Sequence, residues 1–385
     1  MTILTPQGFR AAGVAAGLKS AGGLDLALVV NDGPAHAAAG VFTRNKVKAA
    51  PVLWSQQVLT TGRLRAVVLN SGGANACTGP EGFQTAHATA EKAAEVLGCA
   101  PLEVAVCSTG LIGKQLPRAA VLAGVEAAVA GLGDDAAAAL AAATAIMTTD
   151  TVAKQAAHTA DGWSIGGTTK GAGMIAPSMA TMLTVLTTDA VVDSPVLDEA
   201  LRAAVRVSFD RLDVDGCMST NDTVLVLASG ASGVAADPVV FTEALAAVCR
   251  DLTLQMQADA EGVTKRITVR VTGAATEDEA ATVARTIARD SLVKTAIFGS
   301  DANWGRIAAA AGYADAAVDP DRLDITVNGV LLCRGGVAGG GRTDADLSGK
   351  EVLVEVALGL GDGAADILTT DLSHAYVEEN SAYPS

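Results

Sequence analysis

The residues with chemistry to offer sit in "KGAGMIAPSMATML", Lys170 to Leu183. Two glycines, a proline and two methionines precede an Ala-Thr pair, and a β-rich run follows. Read plainly, glycine and proline punctuate a loop and the threonine opens a strand. The stretch contains neither GxxxxGK[ST] nor GxGxxG, so it is no nucleotide cradle. The other reading is chemical. A backbone break that makes Thr181 a new N-terminus supplies a nucleophile with its own base. The α-amine has a pKa near 8 and shares a Cα with the hydroxyl whose proton it takes. The break can be self-made: the hydroxyl attacks the carbonyl of Ala180, and water cleaves the resulting ester. Ala180 is small enough to permit that attack. Gly171, Gly173 and Pro177 suit a tight loop that holds the carbonyl exposed. The scissile bond is then Ala180–Thr181, and it divides the chain into 1–180 and 181–385.

Other nucleophiles and cofactors have little support. Four histidines (His36, His87, His158, His374) fall in no HxH or HExxH pattern, which disfavours a metal enzyme. Six cysteines show no CxxC pair or zinc spacing, and reduced, scattered, mostly buried thiols are the natural reading. The net charge of −15, with 27 Lys+Arg spread thinly, argues against a phosphate-gripping nucleic-acid binder. No apolar run reaches membrane-spanning length, and "MTILTPQGFRAAG" has no signal-peptide pattern. A cytoplasmic protein is the expectation.

The elements that must position Thr181 read as mixed α/β. Strands are expected at "LALVVND" near residue 27, at 66–72, at 104–110, from 182 and at 223–230. A capping box of Thr78 and Glu81 opens a helix that Gly98 ends. Ser194-Pro195 opens another as N-cap and proline at the first helical position. Helices are also expected over 238–260, 276–289 and the alanine-rich 134–146. Asn328-Gly329 marks a hairpin, and 335–349 a flexible loop. Two sheets covered by helices account for this count.

Blocks along almost the whole chain resemble those of one family, in its order. They are "NSGGANACTG" (70–79), "STGLIG" (108–113), "IMTTDT" (146–151), "KGAGMIAPSMATML", "STNDTV" (219–224), "EGVTK" (261–265), "GSDANWGRIAAAAG" (299–312) and "DLSHAYVEENSAYPS" (371–385). The chain looks like a member of the ornithine acetyltransferase family, also called glutamate N-acetyltransferase or ArgJ. The resemblance implies an α/β fold with a four-layer α-β-β-α core, self-cleaved into two intertwined chains. These are an α chain, 1–180, carrying the oxyanion hole, and a β chain, 181–385, with the N-terminal Thr nucleophile and a tail closing the site. By resemblance Thr181 is the nucleophile, freed by cleavage after Ala180, and Thr109 and Gly110 form the oxyanion hole. Thr148, Lys170, Thr181, Glu261, Asn380 and Ser385 bind substrate. The implied reaction moves acetyl from N-acetylornithine to glutamate by ping-pong catalysis, with no cofactor and no metal. Some members also take acetyl-CoA as donor, which these motifs do not decide. An α2β2 assembly is the family's usual one.

"VDGCMSTNDT" departs from the family pattern at Cys217-Met218, where an acidic or small polar residue is expected. Cys217 reads as a buried, unactivated thiol rather than a nucleophile. An enzyme rival is a self-cleaved aminopeptidase resembling the DmpA group, which gives its acyl group to water. Lys170, Glu261, Asn380 and Ser385 favour an amino-acid acceptor instead. A secondary-metabolism acetyltransferase with the same acetylornithine chemistry also stays open. The non-enzyme rival is an acidic, self-associating structural protein, which needs no nucleophile loop.

Overall fold

A computed structural model describes residues 1–176 and 182–382. Two stacked sheets form its centre. The first has four strands in the order Phe9–Val14, Leu26–Asn31, Ala66–Asn70, Val104–Ser108. The second has five, in the order Ala37–Phe42, Thr223–Ala228, Leu183–Thr188, Trp163–Lys170, Lys154–Ala160. The three central strands of the second sheet are buried along their whole length, as expected of strands covered on both faces. Alternation sorts their side chains. Leu183, Val185, Leu225 and Leu227 join the core of the first sheet. Leu186, Val224 and Val226 turn to the helices Ser194–Arg206 and Pro238–Ala258. Each such leucine contributes about 1.5–3 kcal/mol on leaving water. Helices Gly79–Leu97 and Arg118–Ala130 pack on the first sheet. The centre is therefore the expected four-layer α-β-β-α core.

Local signals explain several boundaries. Gly98 ends its helix in the left-handed conformation at φ 69°. Asn328 (φ 45°) and Gly329 (φ 81°) turn the hairpin between Asp324–Val327 and Val330–Arg334. The alanine-rich stretch is the helix Ala136–Ala145, capped by Asp135. Two capping expectations are corrected. Thr78 makes no side-chain cap: its backbone, at φ −104° and ψ 2°, is not in the extended N-cap conformation, and its hydroxyl donates to Asn75 Oδ1 at 2.7 Å. Asp193, not Ser194, caps the next helix, and Pro195 lies in its first turn.

The expectation of two sheets is also corrected: the described residues form three. The third runs Val337–Ala338, Val330–Arg334, Asp324–Val327, Glu351–Ala357, Arg266–Ala274, Gly363–Thr370. Its neighbours Arg266–Ala274 and Glu351–Ala357 are parallel. One face packs helices Glu277–Arg289, Ser291–Phe298 and Trp304–Gly312 over a separate core. The expected loop 335–349 contributes its short edge strand and a one-turn helix, Arg342–Asp344. No described helix is long and apolar enough to cross a membrane.

Candidate active site

The rims of the two central sheets meet at a cavity of about 480 Å³. In the second sheet Lys170 pairs with Leu183, and Leu183 with Thr223, so the end of one strand lies level with the starts of two others. In the first sheet Asn70 pairs with Ser108, just before Thr109 and Gly110. Of the residues expected to act, Thr109, Gly110, Thr148, Lys170, Glu261 and Asn380 all line this one cavity. Ala180, Thr181 and Ser385 lie outside the described residues. Met182, next after Thr181, is buried at the start of the strand and gives its N–H to Asp222 Oδ1 at 3.2 Å.

Lys170 is the last residue of the strand Trp163–Lys170, not part of the loop. It is 1% exposed, and its Nζ donates to Thr148 Oγ1 at 3.4 Å. Burial pushes its ammonium below the ordinary lysine range, against the carboxylates of Asp150, Asp222 and Glu261. Asp150 organises this corner. Its Oδ1 accepts from Gly171 N at 2.7 Å and Lys154 Nζ at 2.6 Å, and its Oδ2 accepts from Thr148 N at 3.1 Å. Burial opposes its charge, but Lys170 and Lys154 outweigh that and hold the carboxyl below its usual range. Lys154, wholly buried, also reaches Asp259 Oδ2 at 2.5 Å. Such buried charges are tolerated only because each is paired and hydrogen-bonded.

Glu261 sits in the turn after the helix Pro238–Ala258, where its N–H donates to Ala172 O at 2.9 Å. Its Oε2 accepts from Asn380 Nδ2 at 2.9 Å. Asn380 belongs to the C-terminal helix His374–Ala382, which packs over this turn. Gly262 permits that approach: its φ is 62°, and a Cβ there would lie 2.2 Å from Tyr376 N. Glu379 adds a second carboxyl to the lining, raised by burial and by Glu261 and Glu378. Beneath the helix, Asp215 accepts from Met174 N at 2.7 Å, Ile175 N at 2.9 Å and Tyr376 Oη at 3.4 Å. Burial pushes that carboxyl up to about 6 in spite of its N–H donors.

The pocket thus offers a cation, two carboxyls, hydroxyls and a backbone turn, as recognition of a zwitterionic substrate requires. Sequence reading assigned no role to Asp150, Asp215, Asn221 or Asp222. Three of them lie within the quoted "IMTTDT" and "STNDTV". The available signal was acid and amide side chains beside strand starts that are otherwise apolar. The placing of Cys217 is corrected. It is exposed, and its remaining burial, with Asp215 and Asp213, pushes the thiol up, so it carries no reactive thiolate. Among the described residues no group of three His, Cys, Asp or Glu could hold a metal.

A four-layer α-β-β-α core with an ionic pocket where its two sheets meet defines the class. Within it, the chain belongs to the ArgJ family, whose model matches residues 10–385. It is 62% identical to the arginine biosynthesis bifunctional protein ArgJ of Mycolicibacterium paratuberculosis, over 100% of this chain and 96% of that one. It is 58% identical to the protein of the same name from Streptomyces coelicolor, over 100% of both. Among solved structures it is similar to ornithine acetyltransferase of Mycobacterium tuberculosis complexed with ornithine. There the identity is 60% and the TM-score 0.45, covering 47% of this chain and 96% of that chain.

Proposed function

We propose that the chain is a self-processed acyltransferase of arginine biosynthesis that moves acetyl from N-acetylornithine to glutamate. One observation carries this reading: six residues from five separate parts of a chain of the ArgJ family line one cavity. Cleavage between Ala180 and Thr181 frees the α-amine of Thr181 and leaves fragments 1–180 and 181–385 associated. The amine takes the hydroxyl proton as the oxygen attacks the acetyl carbonyl. Thr109 and Gly110 stabilise the tetrahedral oxyanion. The C–N bond breaks, ornithine leaves with the proton, and an acetyl ester remains on Thr181. The neutral α-amine of glutamate attacks that ester, the C–O bond to Thr181 breaks, a proton from the attacking amine returns to the Thr181 oxygen through its α-amine, and N-acetylglutamate departs. Lys170 and Thr148 hold the substrate carboxylate, Glu261 and Asn380 the far end of the side chain, and Ser385 closes the site. No cofactor enters the balance. The fragments assemble as α2β2 in the cytoplasm.

The relatives' printed name, bifunctional, favours a second reading in which acetyl-CoA also serves as donor. An acetyl-transfer assay with N-acetylornithine and with acetyl-CoA tests both readings. Glutamate-dependent release of ornithine is expected. Release into water alone, at the same rate with and without glutamate, makes the protein a hydrolase and sinks the proposal. Thr181→Ala should give one uncleaved band on a denaturing gel and no transfer.

A further inference from the structure

We propose that Asn221 and Asp222 form a two-headed brace that sets the spacing between the Thr109–Gly110 turn and the strand that starts after Thr181. Asn221 Nδ2 donates to Ala74 O at 2.6 Å and to Ser108 O at 2.7 Å. One carbonyl lies in the loop after the strand Ala66–Asn70, and the other ends the strand Val104–Ser108, immediately before Thr109. The carboxamide cannot be flipped. Its nitrogen end faces two carbonyls, and its oxygen end accepts from Thr220 Oγ1 at 2.5 Å. Its backbone is fixed as well, because Asn221 N donates to Ser219 Oγ at 3.1 Å. The next residue faces the other part of the site. Asp222 Oδ1 accepts from Met182 N at 3.2 Å, and Thr223 N donates to Met182 O at 3.1 Å. Both braces are buried, at 4% and 0% exposure, so neither is exchanged for bulk water.

The consequence rests on the proposed acyl-transfer reading. A preorganised oxyanion site works only if its donors are held where charge develops. The turn stands on the first sheet and the nucleophile's strand on the second. Two adjacent residues tie them together, so a shift of one sheet against the other is resisted within a single dipeptide. Asn221 is therefore a positioning residue, acting through the backbone at Ser108. Asp222 acts in the same way through Met182.

The test compares wild type, Asn221→Ala and Thr220→Val in the N-acetylornithine to glutamate assay. Thermal melts and gels of the two fragments accompany it. Asn221→Ala removes the carboxamide. We expect kcat to fall about 10–100-fold, below the direct loss of an oxyanion donor, with KM within about threefold. Thr220→Val leaves both carbonyl bonds but removes the hydroxyl that holds the amide oxygen, and kcat should fall about 3–10-fold. If folded Asn221→Ala keeps kcat within twofold, or loses efficiency through KM alone, the brace is overturned. If Asn221→Ala does not fold, Thr220→Val decides, and unchanged kcat there overturns it equally. Absence of transfer by the wild type would instead defeat the functional reading and is distinguished by that control.

Discussion

Asn380 Nδ2 donates to Glu261 Oε2 at 2.9 Å across 119 residues of chain. The same amide donates to Tyr376 O at 3.0 Å, so it is anchored to its own helix while it holds the carboxylate. The contact orients Glu261 toward the cavity. It lies at an exposed rim, where one such bond is worth about 1 kcal/mol. Asn380→Ala should therefore raise KM for N-acetylornithine about fivefold and leave kcat within twofold. Steady-state kinetics on the cleaved protein measure both. An unchanged KM would remove Asn380 from substrate binding.

Lys170 gives a pH signature. Its ammonium is wholly buried and shifted below the ordinary lysine range, so alkali removes the charge earlier than from a surface lysine. N-acetylornithine has no free α-amine, and its δ-amine titrates near the ordinary alkylamine value of about 10.4, above the lowered Lys170. Its KM should rise as pH climbs from 7 toward 10, and Lys170→Met should raise KM at neutral pH about 10–100-fold. In that variant the alkaline rise should be absent. A parallel rise in both proteins would show that another group titrates.

How much of this was legible depends on the range of the interaction. Gly98 and Asn328-Gly329 act on their own neighbours, so sequence alone places the helix end and the hairpin. Thr78 failed as a cap because its backbone, at φ −104° and ψ 2°, is not in the extended conformation from which a hydroxyl reaches the first-turn N–H groups. The third sheet was missed although Arg266–Ala274 alternates buried and half-buried residues. Its parallel partner Glu351–Ala357 lies far along the chain, and no local pattern announces that pairing. The site shows the same limit. The family blocks pointed to six lining residues one by one, but not to what holds them together. Asn221 reaches carbonyls 147 and 113 residues away, a relationship that exists only after folding.

Asp215 should make stability fall as pH rises. Its carboxyl moves from 3.8 to about 6 on folding, so the native state binds the proton more tightly than the unfolded chain. The stabilisation is full below about pH 4 and is lost as pH climbs through 6. A shift of about two units corresponds to ~3 kcal/mol, which partial hydration reduces. Asp215→Asn has no proton to lose. The melting temperature of wild type minus that of the variant should therefore drop by a few degrees between pH 4 and 7. A flat or rising difference would contradict the assignment.

Gly173 is demanded by Glu261. A Cβ at Gly173 would lie 2.2 Å from Glu261 Oε2 and 2.3 Å from its Cδ, a clash that something must relieve. The carboxylate is the movable partner, since the backbone of Ala172 is tied to Glu261 N. Gly173→Ala should push the carboxylate away, break its bond to Asn380 and displace it from the pocket. The loss combines a charge-assisted contact with substrate and the hydrogen bond to Asn380. KM for N-acetylornithine should therefore rise more than tenfold, beyond the effect of Asn380→Ala alone. Because the displaced group is a side chain at the cavity wall, the melting temperature should change by only a few degrees. Combining Gly173→Ala with Asn380→Ala should add little to KM, because the bond is already broken in the first variant. Full additivity of the two effects would show that Glu261 stays in place and that the clash is relieved elsewhere.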